Sequence, residues 1–234
     1  MKYIILAGGE GTRLIKEGQK ASKPMTLVFN EPMIGRLFHL LRTIDAEEIV
    51  VVINENLNDA IEYLDSLKSL FPSILKIVSV PNINNFYSLS KGFEKINGRF
   101  VALTVDSIFP TNEFLKYIDS LKALKENEVL MGITGYVDDE IPLYANVSNN
   151  EIIDYRYGGR PFPTDVFVSA GIYALSTDIL RDLCQIKIPE SLNEMQKLLA
   201  LNEKFLVTPF VFSKAMDIDH VSDIEKAERF LESR

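Results

Sequence analysis

Lys2-Tyr3-Ile4-Ile5-Leu6-Ala7-Gly8-Gly9-Glu10-Gly11-Thr12-Arg13-Leu14 decides the reading of the fold. Residues 2–7 read as a buried first strand, since the run is almost wholly apolar and ends abruptly at glycine. Three glycines in four positions let the backbone turn tightly and bring its N–H groups close to an anion or a flat base. An ordinary strand exit needs one or two glycines and no arginine, so Arg13 marks the turn as a candidate binding loop.

Outward from this loop, short β-branched runs alternate with longer helical patterns, the signature of an α/β protein with a largely parallel sheet. Strands are expected at 49–54, 75–80 and 100–105, with helices near 32–44, 57–70 and 86–96. Pro32 suits the first turn of its helix, and Ile34, Leu37, Phe38 and Leu41 recur at helical spacing. After a helix near 112–125 the pattern shifts to successive strands at 129–137, 144–147, 152–155 and 166–175, where antiparallel pairing is expected. Helices near 177–183 and 190–201, a strand at 205–212 and a charged helix at 221–232 finish the chain. Neither repeats nor an interdomain linker interrupt it. The expectation is one domain, 1–234, with a nucleotide-binding half at about 1–125 and an acceptor-binding half at about 126–234.

The chain has 234 residues, of which 47% are hydrophobic, enough for a sizeable core. The net charge of −8 sets its surface against nucleic-acid phosphates, so no nucleic-acid partner is expected. The one cysteine, Cys184, cannot form an intrachain disulfide, and residues 1–7 are too short an apolar run for a signal peptide or a membrane span. A soluble cytoplasmic protein with no membrane partner is the expectation. Oligomeric state is not legible in this pattern.

Two familiar glycine-loop readings are weak here. A P-loop closes on Gly-Lys-Ser/Thr, which does not occur here. The dinucleotide fingerprint needs a small residue where Leu14 stands, and an acidic residue about twenty positions further on at the end of a second strand. The second strand here starts only near residue 49.

Gly8-Gly9-Glu10-Gly11-Thr12-Arg13-Leu14, followed by Ser22-Lys23-Pro24-Met25, resembles the signature of the sugar-phosphate nucleotidyltransferase superfamily. The resemblance implies a Rossmann-like three-layer α/β/α fold with a mixed, mainly parallel central sheet. It implies that Leu6, Ala7, Gly8, Gly9, Gly11 and Thr12 line a nucleoside triphosphate. Arg13 would then lie on the β and γ phosphates and Lys23 on the α-phosphate. The family's proline-rich stretch after Arg-Leu is replaced by Ile15-Lys16-Glu17-Gly18-Gln19-Lys20, within a loop at 15–22 that reads as mobile.

Asn82-Ile83-Asn84-Asn85-Phe86-Tyr87-Ser88-Leu89 supplies paired donors and acceptors suited to a nucleobase edge, though asparagines equally favour turns and helix caps. Its Asn-Asn-x-x-Ser-Leu portion resembles the branch that uses CTP with phosphocholine and related phospho-alcohols. That resemblance points Asn82, Asn84, Asn85 and Ser88 at a pyrimidine base. Asp106 ends the strand at 100–105, on the edge where open α/β sheets bind ligands. By resemblance it holds Mg²⁺, with Asp219 of Met216-Asp217-Ile218-Asp219-His220 as second ligand and Asp217 as the alternative. The competing role for this segment is to start the last helix, with Ser222 or Asp219 as cap. His39 and His220 carry no expected catalytic role.

Val168-Ser169-Ala170-Gly171-Ile172-Tyr173 resembles the family strand where glycine lets the acceptor sugar pack on backbone. The usual upstream Glu-Lys pair is absent, and Arg156 and Arg160 are the candidates to hold an acceptor phosphate. The implied reaction is Mg²⁺-dependent transfer of a nucleoside monophosphate to a sugar 1-phosphate or phospho-alcohol. Two rival readings remain: a glycosyltransferase of related fold, which would carry Asp-x-Asp where Asp106-Ser107-Ile108 stands, and a non-catalytic nucleotide-binding regulator.

Overall fold

The computed structural model describes residues 1–44, 46–163 and 165–232. In chain order its elements are β1 (Lys2–Ala7), α1 (Thr12–Lys16), β2 (Leu27–Val28), β3 (Glu31–Pro32), α2 (Met33–Thr43), β4 (Glu48–Asn54), α3 (Asn58–Leu70), β5 (Leu75–Val80), α4 (Asn85–Phe93), β6 (Arg99–Thr104) and β7 (Ser107–Ile108). They continue with α5 (Thr111–Ser120), β8 (Glu128–Thr134), β9 (Leu143–Ser148), β10 (Glu151–Tyr157), β11 (Phe167–Ser176), α6 (Thr177–Ile186), α7 (Leu192–Ala200), β12 (Leu206–Phe212), β13 (Met216–Asp217) and α8 (Val221–Glu232). The fold is Rossmann-like, with parallel and antiparallel pairs in the sheet, as the sequence led us to expect. Among the described residues, no helix is long and apolar enough to cross a membrane.

The chain groups into two compact units. Unit 1 contains Met1–Ile96, Ala102–Ile108 and the described residues from Asp217 onward; unit 2 contains Asn97–Val101 and Phe109–Met216.

In unit 1, β1 runs parallel to β4 in a register from Lys2↔Glu48 to Ala7↔Ile53, and β4 runs parallel to β5 from Ile49↔Leu75 to Asn54↔Val80. Ile4, Ile5 and Ile49 to Ile53 are wholly buried, the two-sided burial expected of parallel strands. Because the strands share direction and register, Ala7, Asn54 and Val80 finish at one edge, and the loops that follow them start together. Helix α4 lies close on β1 and β4 because Gly92 lacks a side chain: a Cβ there would stand 2.9 Å from Ile4 Cγ2 and 3.0 Å from Val52 Cγ2.

In unit 2, β8 pairs parallel with β12 and antiparallel with β11, while β9 pairs antiparallel with β10 and β11. The antiparallel pairing expected for this half is therefore present. Phe109, Phe114, Tyr117, Phe210 and Phe212 form a connected set of rings with centroids 4.9–6.0 Å apart. Tyr117 satisfies its hydroxyl by donating to the Leu130 carbonyl at 2.8 Å.

The long helices and strands fall within a few residues of their sequence-based positions. Short elements do not. Residues 12–16 form α1 inside what reads as a glycine turn running into a loop, and Lys23–Met25 form a single 3-10 turn. A five-residue helix completes little more than one turn, so it leaves no periodicity to detect.

Candidate active site

Strand β1 delivers the chain to Gly8–Gly11, and Gly11, at φ 71°, turns it left-handed into α1. A side chain there would be strained, and its Cβ would stand 2.7 Å from Lys23 Cβ. The glycine is thus what lets the loop and the Lys23 turn approach each other. Hydrogen bonds hold that turn: Met25 N–H donates to the Ser22 carbonyl, Thr26 N–H to the Lys23 carbonyl, and Ser22 N–H to Asp59 Oδ2 on α3 at 2.9 Å.

Lys23 is buried, and its ammonium pairs with two carboxylates, Asp106 and Asp219, the latter at 2.6 Å. Arg13, on α1, donates from Nη1 to the other Asp219 oxygen at 2.7 Å. Asp219 therefore divides its two oxygens between the two cations singled out in the sequence. Burial opposes the Lys23 charge, but Asp106 and Asp219 outweigh it and hold the ammonium above its ordinary range.

Backbone contacts place the carboxylates. The Ile218 N–H donates to the Asp106 carbonyl at 3.2 Å, laying the 217–219 segment beside the end of β6. Asp223, in the first turn of α8, accepts from the N–H groups of Asp219 and His220 at 3.2 and 2.8 Å. This replaces the cap expected from Ser222 or Asp219: the carboxylate that reaches back is three residues inside the helix start, as in half of a capping box.

Asp217 lies apart from the ammonium and accepts from Ser107 Oγ at 3.0 Å. Burial and then Asp106 repulsion push its carboxyl up, opposed by Lys23 and Ser107. Asp217 still faces solvent, so the neighbouring Asp106 charge weighs more than desolvation. Among the described residues, no three His, Cys, Asp or Glu side chains are already gathered around a metal position. Lys23 occupies the space where Asp106 and Asp219 would share one.

At its other end the loop meets polar side chains. Asn82 Nδ2 donates to Glu10 Oε1 at 2.9 Å, and Asn54, wholly buried at the end of β4, approaches the same oxygen at 3.5 Å. Asn84 uses its side chain to cap α4, accepting from Tyr87 N–H at 2.7 Å, so the cap reading of this asparagine describes its geometry. Asn85 opens α4. Ser88 is buried beside the loop, with its Oγ 3.2 Å from where a Cβ on Gly8 would stand.

The acceptor candidates belong to unit 2. Gly171, at φ 70°, sits where the β11–β8 register slips between Ser169 and Tyr173. On β10, Arg156 donates to the Arg160 carbonyl at 3.1 Å and stacks over Phe162 at 4.3 Å, a structural use of the guanidinium.

Sequence reasoning passed over three residues that the geometry brings forward. Glu10 stood in the quoted loop, but only its glycines, Thr12 and Arg13 drew attention. Glu17 lay in the stretch read as mobile, yet it accepts from His220 Nδ1 at 2.5 Å and from Val221 N–H at 2.7 Å. Asp223 carried a legible signal, an acid in the first turn of a helix.

The profile of the MobA-like NTP transferase domain matches residues 3–146. The bifunctional IPC transferase and DIPP synthase of Aquifex aeolicus is 22% identical over 97% of this chain and 51% of its own, so the chain spans about half the length of that relative. The D-glycero-alpha-D-manno-heptose 1-phosphate guanylyltransferase of Campylobacter jejuni is 22% identical over 78% of this chain and 79% of its own. A solved structure from Bacillus anthracis, assigned as a glucose-1-phosphate thymidylyltransferase, superposes with a TM-score of 0.82 at 21% identity, covering 100% of this chain and 96% of that one.

Proposed function

The chain belongs to the MobA-like NTP transferase domain family, and from that premise we propose that it transfers a nucleoside monophosphate from CTP or UTP to a sugar 1-phosphate or phospho-alcohol, releasing pyrophosphate. The observation that carries this reading is the interlocked set Arg13–Asp219–Lys23–Asp106 at the exit of β1. Two cations held at fixed positions by carboxylates are what in-line displacement at phosphorus asks of a protein, which supplies charge and geometry and little covalent chemistry.

An acceptor phosphate oxygen attacks the α-phosphorus, and the bond to the bridging α–β oxygen breaks. The electron pair leaves with pyrophosphate. Arg13 takes the β and γ phosphates and Lys23 the α-phosphate, each giving up its bond to Asp219 as the triphosphate arrives. The acceptor needs no general base, because a phosphate is already a nucleophile at neutral pH.

Asp106 and Asp219, with Asp217 as the alternative, are the residues that would hold Mg²⁺. The fit is supported by the Lys23 ammonium they share: the two carboxylates already accommodate a cation between them. Bound there, Mg²⁺ would draw negative charge from the phosphate oxygens.

The pyrimidine preference rests on the resemblance of Asn84-Asn85-x-x-Ser-Leu to the CTP-using branch, and the Campylobacter relative is named for a purine nucleotide. Gly171, Arg156 and Arg160 are assigned to the acceptor on sequence resemblance and charge. The test is pyrophosphate release with Mg²⁺, crossing the five common nucleoside triphosphates with pooled sugar 1-phosphates and phospho-alcohols. Release that requires one nucleotide and one acceptor together supports the proposal. Nucleotide binding without turnover on any pair would favour a regulator.

A further inference from the structure

Glu10 is the one acidic side chain of the glycine loop, and its placement has a physical consequence. A triphosphate brings several negative charges, and a carboxylate beside them is repulsive at any separation the loop allows. Yet Glu10 directly precedes Gly11, which packs against the phosphate-side lysine, Lys23. The two neighbours part company in space: Gly11 faces Lys23, whereas Glu10 faces Asn82 and Asn54.

These three side chains come from the ends of the three register-matched strands β1, β4 and β5, the edge where such sheets bind ligands. Asn82 and Asn54 both reach Oε1, and no described residue donates to Oε2, leaving the carboxylate half-buried with acceptor capacity to spare. A carboxylate accepts hydrogen bonds and donates none, so its complement is a hydrogen-bond donor.

Resting on the nucleotidyltransferase reading above, we propose that Glu10 is a specificity-determining residue that accepts a hydrogen bond from the nucleoside, away from the phosphates. Nucleosides offer such donors in two places, the exocyclic amino group of the base and the ribose hydroxyls. A carboxylate facing an amino group also disfavours a base with a carbonyl oxygen in that position, because two acceptors then meet.

The alternative is that Glu10 only ties the β5 loop to the glycine loop. Glu10→Gln separates the two readings, since glutamine keeps a carbonyl oxygen for Asn82 while losing the charge. Dissociation constants are to be measured by calorimetry, with Mg²⁺ present, for wild type and Glu10→Gln. The matched pairs are CTP against UTP, GTP against ITP, and each preferred ribonucleotide against its 2′-deoxy form.

We expect one ratio to shrink about tenfold in the variant, the scale of a hydrogen bond to a charged group. Loss of the CTP/UTP or GTP/ITP preference assigns Glu10 to the amino group; loss of the ribo/deoxy preference assigns it to the ribose. Equal weakening of every nucleotide, or no change, would overturn the proposal while leaving the nucleotidyltransferase reading intact. Failure of the wild type to bind any nucleotide would overturn both.

Discussion

The Lys23 ammonium keeps Asp106 and Asp219 neutralised, so its removal acts on stability as well as on turnover. Lys23→Met leaves two carboxylates beside each other, the costly half of a broken buried ion pair. The variant is expected to melt at a lower temperature than wild type without divalent cation, and to gain more from added Mg²⁺ than wild type does. Differential scanning fluorimetry across a Mg²⁺ titration checks this. An equal Mg²⁺ shift in both proteins would argue that these carboxylates do not hold the ion. For Lys23→Ala, turnover should fall on the order of 10²–10³, the scale of losing one preorganised charge-stabilising donor. Normal turnover by both Lys23→Ala and Arg13→Ala would remove the catalytic assignment.

At the scale of elements, α1 is clasped twice. Arg13 reaches Asp219, and Glu17, four residues on and so on the same face of the helix, reaches His220 and the first N–H of α8. In the proposed reaction, where a triphosphate takes Arg13, the Glu17 contacts would remain to hold α1 in place. Glu17→Ala should therefore raise the KM for nucleotide roughly fivefold, about the loss of one helix cap, with kcat changing less. The His220 and Val221 bonds hold the Glu17 carboxyl below its ordinary value of 4.5. A depressed folded-state pKa means the clasp is in place above that value and fades as the pH drops through the lowered one. Protection of the Val221 amide, the intrinsic exchange rate over the observed one at each pH, should accordingly fall on acidification, and in the Glu17→Ala protein it should be low throughout.

Helix packing gives a prediction of a different kind. Gly92→Ala pushes a methyl into Ile4 and Val52 at the α4 contact, and overpacking of this sort costs about 1–3 kcal/mol. Chemical denaturation should show a lower midpoint with an unchanged slope.

Legibility followed element length and contact range. Helix α8 was readable to the residue and β1 at both ends, because a long amphipathic period and an unbroken apolar run carry their own signal. Helix α1 was not, and with it went the Glu17 clasp, whose partners lie more than 200 positions away. Loop motifs single out Arg13, Lys23, Asp106 and Asp219, and the structure brings the four side chains together. Asn84 uses its side chain to cap α4, since the same amide that suits a base edge also suits an exposed helix start. Sequence alone offers no way to choose between those partners.

At the scale of the whole molecule, unit 1 is not a continuous stretch of chain. Residues 1–96 and 102–108 share a compact unit with the segment from Asp217 onward, which lies within the half expected from sequence to bind the acceptor. That returning segment brings Asp217 and Asp219, the Asp223 that holds the Asp219 and His220 backbone, and the buried Ile218, Ala227 and Phe230 of unit 1. Ending the chain after Met216 should thus remove more than a helix. Lys23 would keep only Asp106, Arg13 would lose its Asp219 partner, and the apolar surface covered by Phe230 would meet water. The expected outcome for residues 1–216 is loss of Mg²⁺-dependent nucleotide binding together with a broadened, lower-temperature melt. Adding residues 217–234 back as a separate peptide should restore part of both, because what the segment supplies is contacts and not chain continuity. Calorimetric titration of nucleotide into the truncated protein, with and without the peptide, reads this directly. Full nucleotide affinity in the truncated protein alone would show that Asp219 and α8 are dispensable and would move the site towards the loops after β1 and β5.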